Sequence, residues 1–194
     1  MLRLAACELT VKMSKYLPSP FFFLRHGESE NNRRDLVNGW TDCALTDRGR
    51  EQARAAVPVL QGENIALVIT STLSRTRETA QIVADALGAD VQTHDGLKER
   101  NWGVLENGPR AALTDYFSVP EGAESWEQYR ARVWNTLRSL TLPAHSLIVG
   151  HAGTMRVLRD RLKIGDVQDR LPNAVPVRFT QDSTGVWSFA ADGE

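Results

Sequence analysis

Cysteine is scarce: Cys7 and Cys43 are the only two among 194 residues. They form no close metal-ligand pair, which argues against a disulfide framework or a zinc ribbon and makes a reducing compartment, the cytoplasm, the expected location. Long apolar runs are missing too. Leu4 to Cys7 is interrupted at Glu8, too short for the core of a signal peptide, and nothing approaches the roughly 18 residues of a membrane span. Nor is there an excess of positive charge, since 23 Lys and Arg face 24 Asp and Glu. A nucleic-acid backbone cannot be gripped by charge alone, so neither a nucleic-acid nor a membrane partner is expected, and any anion site must be local.

What is there reads as an ordinary globular chain, 42% hydrophobic and 24% charged,. Its length suits one domain, read as residues 21–194, with residues 1–20 as an N-terminal extension in which Met13 is a second candidate start beside Met1. Phe21-Phe22-Phe23-Leu24 reads as a buried strand that stops at Arg25-His26-Gly27-Glu28,. A helix capped at Thr46 or Asp47 carries Ala53, Ala56, Val57 and Leu60 on one face and ends at Gly62. Ile65 to Ile69 is a second apolar strand, followed by a helix with Ala80, Val83 and Leu87 that stops at Gly88. Val91 to His94 makes a brief strand, and Asp95 to Gly122 lacks periodicity and is read as an irregular excursion. The helix from Ser125 carries Trp126, Tyr129, Val133, Leu137 and Leu140, a core pattern. Leu147 to Val149 is a third buried strand ending at Gly150-His151, and Met155, Leu158 and Leu162 mark the next helix. Pro176 to Thr180 and Val186 to Ala190 form a closing hairpin. The alternation predicts an α/β/α sandwich with a mainly parallel sheet and an antiparallel edge.

Ligands of open parallel sheets gather at the carboxyl ends of strands. Here those ends carry Arg25 and His26, Ser71 to Arg75, and His151, so two histidines and two arginines converge on one rim. His94 and His145 stand apart and read as ordinary loop residues. A phosphate monoester carries nearly two negative charges, which bidentate arginines can hold. One imidazole held neutral can attack phosphorus, the other adds a pH-responsive charge, and Gly27 leaves room for the phosphate. A carboxylic acid must protonate the leaving oxygen, for which Glu99 and Glu28 are both candidates. Competing chemistries fail on spacing: no Gly-x-x-x-x-Gly-Lys-Ser/Thr, Gly-x-Gly-x-x-Gly, His-Glu-x-x-His or Gly-x-Ser-x-Gly occurs, no arginine stands six residues after either cysteine, and no Asp-x-Asp exists,. No clustered metal ligands and no cofactor are expected.

Leu24-Arg25-His26-Gly27-Glu28 resembles the signature of the histidine phosphatase superfamily, which includes cofactor-dependent phosphoglycerate mutases and many small phosphatases. Ser29 and Asn32, Asn38-Gly39-Trp40-Thr41-Asp42, Leu45-Thr46 and Gly49 fall in the same register. So do Ser71-x-Leu73-x-Arg75-x-x-x-Thr79-Ala80, Leu97-x-Glu99-x-x-x-Gly103 and Gly150-His151-Ala152-Gly153, together spanning Phe21 to roughly Val177. The resemblance implies that His26 is phosphorylated, that Arg25, Arg75 and His151 bind the phosphoryl group, that Glu99 is the proton donor and that Asn32 adds a phosphate hydrogen bond. Asn38, Gly39, Arg100, Arg110 and Ala152 are placed with the substrate. Trp40 and Trp102 either flank the pocket or pack, Glu99 either donates its proton or pairs with Arg100, and Glu28 either caps the next turn or touches substrate.

Asn38-Gly39-Trp40, Glu99-Arg100 and Arg110 resemble the mutases. The short excursion, the continuation Ala152-Gly153-Thr154-Met155-Arg156 and the missing C-terminal tail resemble the phosphatases. A phosphatase is therefore expected, with a mutase and a phospho-ligand binding protein as alternatives. Its partner would be a small phosphorylated metabolite or a phosphoprotein, with specificity set between Asn101 and Glu124. Nothing in the sequence specifies an oligomeric state.

Overall fold

The structure, a computed structural model, describes residues 17–165 and 171–191. The expected extension therefore lies outside the described residues up to position 16, Met13 included. Six strands, β1 (Phe21–Arg25), β2 (Leu67–Thr70), β3 (Asp90–Thr93), β4 (Leu147–Gly150), β5 (Pro176–Gln181) and β6 (Trp187–Ala191), form one sheet in the order β3-β2-β4-β1-β5-β6. The first four are mutually parallel where they pair, while β5 runs antiparallel to β1 and β6 antiparallel to β5. This is the mainly parallel sheet with an antiparallel edge that the alternation predicts.

β1 has no polar alternation because both of its faces are covered. Phe21 and Phe23 point with Ile69, Ile148 and Phe179 into one core, closed by α4 (Trp126–Ser139) and α5 (Ala152–Leu162) through Tyr129, Val133, Leu137, Met155 and Leu158. Phe22 and Leu24 point the other way with Val68, Leu147 and Val149, against Ala56 and Leu60 of α2 (Asp47–Leu60) and Ala80 and Val83 of α3 (Ser74–Leu87). Truncating a buried phenylalanine of this kind to alanine typically costs about 3–5 kcal/mol. Among the described residues no helix is long and apolar enough to cross a membrane.

Local signals explain the helix ends. Thr46 is the N-cap of α2, its Oγ1 accepting from Gly49 N at 3.0 Å, and Gly88 closes α3 at φ 67°,. Two details differ from expectation. β2 begins at Leu67 rather than Ile65, because its ladders start at Leu67 opposite Asp90 and Val68 opposite Leu147. A one-turn helix, α1 (Glu30–Arg33), follows β1 with no apolar periodicity to announce it; a reciprocal cap between Ser29 and Asn32 nucleates it,. The excursion holds three single 3-10 turns, at Asp95–Leu97, Gly103–Leu105 and Arg110–Ala112.

Candidate active site

β2, β4 and β1 are consecutive in the sheet, so the residues just past their carboxyl ends, Ser71, His151 and His26, become neighbours. The amide of His26 continues the ladder by donating to Gly150 O at 3.0 Å, which sets the two imidazoles side by side with centroids 5.4 Å apart and planes at 63°. His26 Nδ1 lies 2.7 Å from its neighbour's carbonyl, Gly27 O. A carbonyl only accepts, so Nδ1 carries the proton and the lone pair of the neutral ring sits on Nε2.

His151 Nε2 is hydrogen-bonded to Ser71 Oγ at 3.0 Å, and Ser71 Oγ in turn to Thr76 Oγ1 at 2.6 Å. Burial, reinforced by Arg75, His26 and Arg25, holds His151 well below its ordinary value of 6.5,. The pH-responsive charge expected of the second histidine is thus withheld in the free protein. A phosphate dianion at the rim would reverse the electrostatic part of that shift.

Arg25 and Arg75 are both buried. Arg25 Nη1 donates to Leu171 O at 2.8 Å. Arg75, on the first turn of α3, donates from Nη2 to Gly39 O at 2.7 Å and from Nη1 to Thr41 O at 3.1 Å. The amides of the same loop face Glu106: its Oε1 accepts from Trp40 N at 2.8 Å and Trp102 N at 3.0 Å, its Oε2 from Thr41 N at 3.0 Å and Gly39 N at 3.3 Å. The peptide groups of Gly39 to Thr41 are therefore fixed between Arg75 and Glu106. Gly39 has no room for a side chain, since a Cβ would lie 2.0 Å from Glu106 Oε1. Sequence reasoning missed Glu106, which no motif marks, and also Asn173, whose Nδ2 donates to His26 O at 2.8 Å and Asn32 Oδ1 at 3.3 Å. Asn32 Oδ1 also accepts from Ser29 N at 3.3 Å, and Asn38 Nδ2 donates to Ser29 Oγ at 2.9 Å.

One expectation is corrected here. Gly27 does not make room for phosphate: a Cβ there would lie 2.2 Å from Gly49 O, so the glycine serves close packing of two backbones,. Glu28, for which capping and substrate contact both stand open, does not cap the following turn: Ser29 does, while Glu28 Oε1 accepts from Thr46 Oγ1 at 2.8 Å and its amide donates to Gln52.

Glu99 is buried beside the start of α5. Its Oε2 accepts from Gly153 N at 3.0 Å and its Oε1 from the Arg100 amide at 2.8 Å. The expected alternative, an ion pair with the Arg100 side chain, is not formed. Arg100 instead donates from Nε to Glu124 O at 2.8 Å, from Nη2 to Ser118 O at 2.7 Å and from Nη1 to Tyr116 O, and it stacks on Trp102 at 4.4 Å. Arg100 is fully buried and clamps the excursion through these carbonyls.

A cleft of ≈ 70 Å³ opens at Glu99, lined also by Asn38, Ala152, Trp102, Arg110, Tyr116 and Arg156. Of the residues expected near substrate, Asn38, Ala152 and Arg110 line this cleft, with Arg110 also paired to Asp35 at 3.3 Å. Trp102 flanks the cleft. Trp40 instead pins the Glu99 backbone, its Nε1 donating to Glu99 O at 2.8 Å while Lys98 and Arg132 lie against its ring. Arg156 was not anticipated; its place one turn into α5 could have been counted from His151.

A strand-end histidine pair, two buried arginines and a carboxylate at a cleft form a centre suited to phosphoryl groups. The model of the histidine phosphatase superfamily (branch 1) matches residues 21–174, and the chain belongs to that family. Among curated relatives, "Probable phosphoglycerate mutase GpmB" of Yersinia enterocolitica is 36% identical over 73% of each chain. Among solved structures, mycobacterial glucosyl-3-phosphoglycerate phosphatase is 22% identical with a TM-score of 0.76, covering 89% of this chain and 97% of its own. The alpha-ribazole phosphatase of Shigella flexneri is 21% identical with a TM-score of 0.75, covering 90% and 96%. These two likenesses establish the fold.

Proposed function

We propose that this protein is a phosphomonoester phosphatase that works through a phosphohistidine on His26 and needs no metal ion. The observation carrying the reading is the His26 Nδ1 bond to Gly27 O, which leaves the lone pair of the neutral ring on Nε2, in an imidazole that lies beside His151 and, with Arg75 and Arg25, acts electrostatically on it. Nε2 attacks phosphorus in line as the ester P–O bond breaks. The bonding electrons leave on the alcohol oxygen, which takes a proton from Glu99. Water then attacks the phosphohistidine and gives its proton to the Glu99 carboxylate. The P–N bond breaks, releasing phosphate and restoring His26. Arg25, Arg75 and His151, with Asn32, hold the phosphoryl oxygens throughout and stabilise the charge that a metal clamp supplies in other phosphatases.

The name carried by the 36% identical relative favours a second reading, a phosphoglycerate mutase. A mutase must retain its dephosphorylated intermediate behind a lid and hold the substrate carboxylate with cations. Arg100, one of two arginines the excursion could offer, is committed to its own carbonyls, which supports hydrolysis.

The deciding experiment supplies 3-phosphoglycerate with a trace of 2,3-bisphosphoglycerate and, in parallel, a panel of phosphorylated sugars, nucleotides, small metabolites and phosphopeptides, all in EDTA. Free phosphate with negligible 2-phosphoglycerate supports the phosphatase. Mutase turnover on the order of 10 s⁻¹, or activity that returns only with magnesium, contradicts it. Binding of phosphorylated ligands without turnover would instead leave a phospho-ligand binding protein.

A further inference from the structure

Resting on the phosphatase reading, we propose that the Tyr116 hydroxyl contacts the substrate by donating a hydrogen bond to the ester oxygen of the leaving alcohol, holding that oxygen against Glu99. Tyr116 comes from the irregular excursion and belongs to none of the motifs, yet it lines the cleft with Glu99, Asn38 and Ala152. Its surroundings fix it firmly. Arg100 holds its carbonyl, Trp102 and Trp126 meet its ring edge to face at 5.2 Å and 5.9 Å, and the Arg156 guanidinium lies over the ring at 4.3 Å.

Among the described residues this buried hydroxyl has no hydrogen-bond partner. Such groups are rare, and this one is carried by a residue that lines the cleft,. The packing around Gly153 shows where it points. A Cβ on that glycine would lie 2.1 Å from Glu99 Oε1 and 2.8 Å from the Tyr116 hydroxyl, so both oxygens crowd one side of the first turn of α5. The Tyr129 hydroxyl, from α4, is nearer that point at 2.6 Å and also lacks a partner among the described residues, but Tyr129 does not line the cleft, and so Tyr116 is the tyrosine that meets the substrate. Burial and the neighbouring Glu99 push the Tyr116 phenol well above its ordinary value of 10.0, so it stays a protonated donor at any working pH,. Glu99 Oε1 and Oε2 each accept a backbone amide and the Tyr116 hydroxyl bonds to neither, so its donor is available to the oxygen that Glu99 protonates. When the P–O bond breaks, the oxygen takes its proton from Glu99 and Tyr116 keeps its own.

Tyr116→Phe retains the ring, its stacking and the anchored carbonyl, and removes only the donor. The test compares kcat/KM of wild type and variant on an alkyl phosphate and on nitrophenyl phosphate, whose leaving group needs little help. Inhibition by inorganic phosphate reports on the phosphoryl end alone. The loss on the alkyl phosphate should exceed that on nitrophenyl phosphate by about tenfold, the scale of one hydrogen bond in a buried site, with phosphate inhibition within about twofold of wild type. Equal loss on both substrates, or no loss on either, overturns the Tyr116 assignment and leaves the phosphatase reading standing. Wild-type protein that hydrolyses neither substrate overturns both.

Discussion

Replacing Glu106 by glutamine should damage the site without touching any residue at the reacting end. The carboxylate accepts four backbone amides, two on each oxygen, from Gly39, Trp40, Thr41 and Trp102. Glutamine keeps the shape but turns an NH₂ toward one pair of donors. Hydrogen bonds to a charged group are each worth about 1.5–3 kcal/mol, so losing two would cost roughly 3–6 kcal/mol if nothing relaxed. Trp40 is 40% exposed, so water can reach part of the loop. A net loss of about 2 kcal/mol is therefore expected, a fall in Tm of about 4–8 °C for a chain of this size. Arg75 grips the carbonyls of the same loop, and a shift of about 1 Å in a positioned group can cost around 10²-fold in rate. With Arg75 in the phosphoryl-binding role proposed for it, Glu106→Gln should lower kcat/KM more than about tenfold on alkyl and nitrophenyl phosphates alike. Thermal unfolding and paired kinetics measure both quantities. A variant within 1 °C and twofold of wild type, to set an approximate threshold, would refute the clamp.

Three further outcomes follow from the same geometry. Arg100→Lys cannot span the carbonyls of Tyr116, Ser118 and Glu124, so limited proteolysis should cut faster between residues 113 and 124; an unchanged rate would mean that Arg100 is not what holds the segment,. His151 is held below 6.5 in the folded protein, so the unfolded chain binds more protons from about that pH downward and stability should fall with pH through that window,. The urea midpoint difference between pH 7.5 and 5.5 should shrink in His151→Gln, and an identical difference in both proteins would contradict this. Glu99→Gln should lose about 10²- to 10⁴-fold more on poor alkoxide leaving groups than on nitrophenyl phosphate, whereas equal losses would make Glu99 merely structural.

The central strands β1, β2 and β4 are legible in the sequence because they are short apolar runs that stop abruptly at polar residues. Phe21 to Leu24 shows no alternation because both faces are covered, and that pattern alone places it centrally,. The histidine pair was legible for the same reason, since strand ends and ligand positions coincide in such sheets. What the pattern could not carry was backbone recognition by side chains. Glu106 and Arg100 act on amides and carbonyls whose directions depend on irregular loops, and nothing in periodicity reports these. One position after Glu99 in sequence, Arg100 turns its guanidinium to carbonyls as far along as Glu124. Gly27 was misread because its neighbour, Gly49, comes from a segment 22 residues later in the chain.

The most direct test of the central claim is rapid quench of the protein with ³²P-labelled substrate, followed by acid and alkaline stability of the trapped label. Wild type should give an acid-labile, base-stable phosphoenzyme that maps to His26, and His26→Ala should give none. Label that survives acid, or that persists in His26→Ala, would contradict the account.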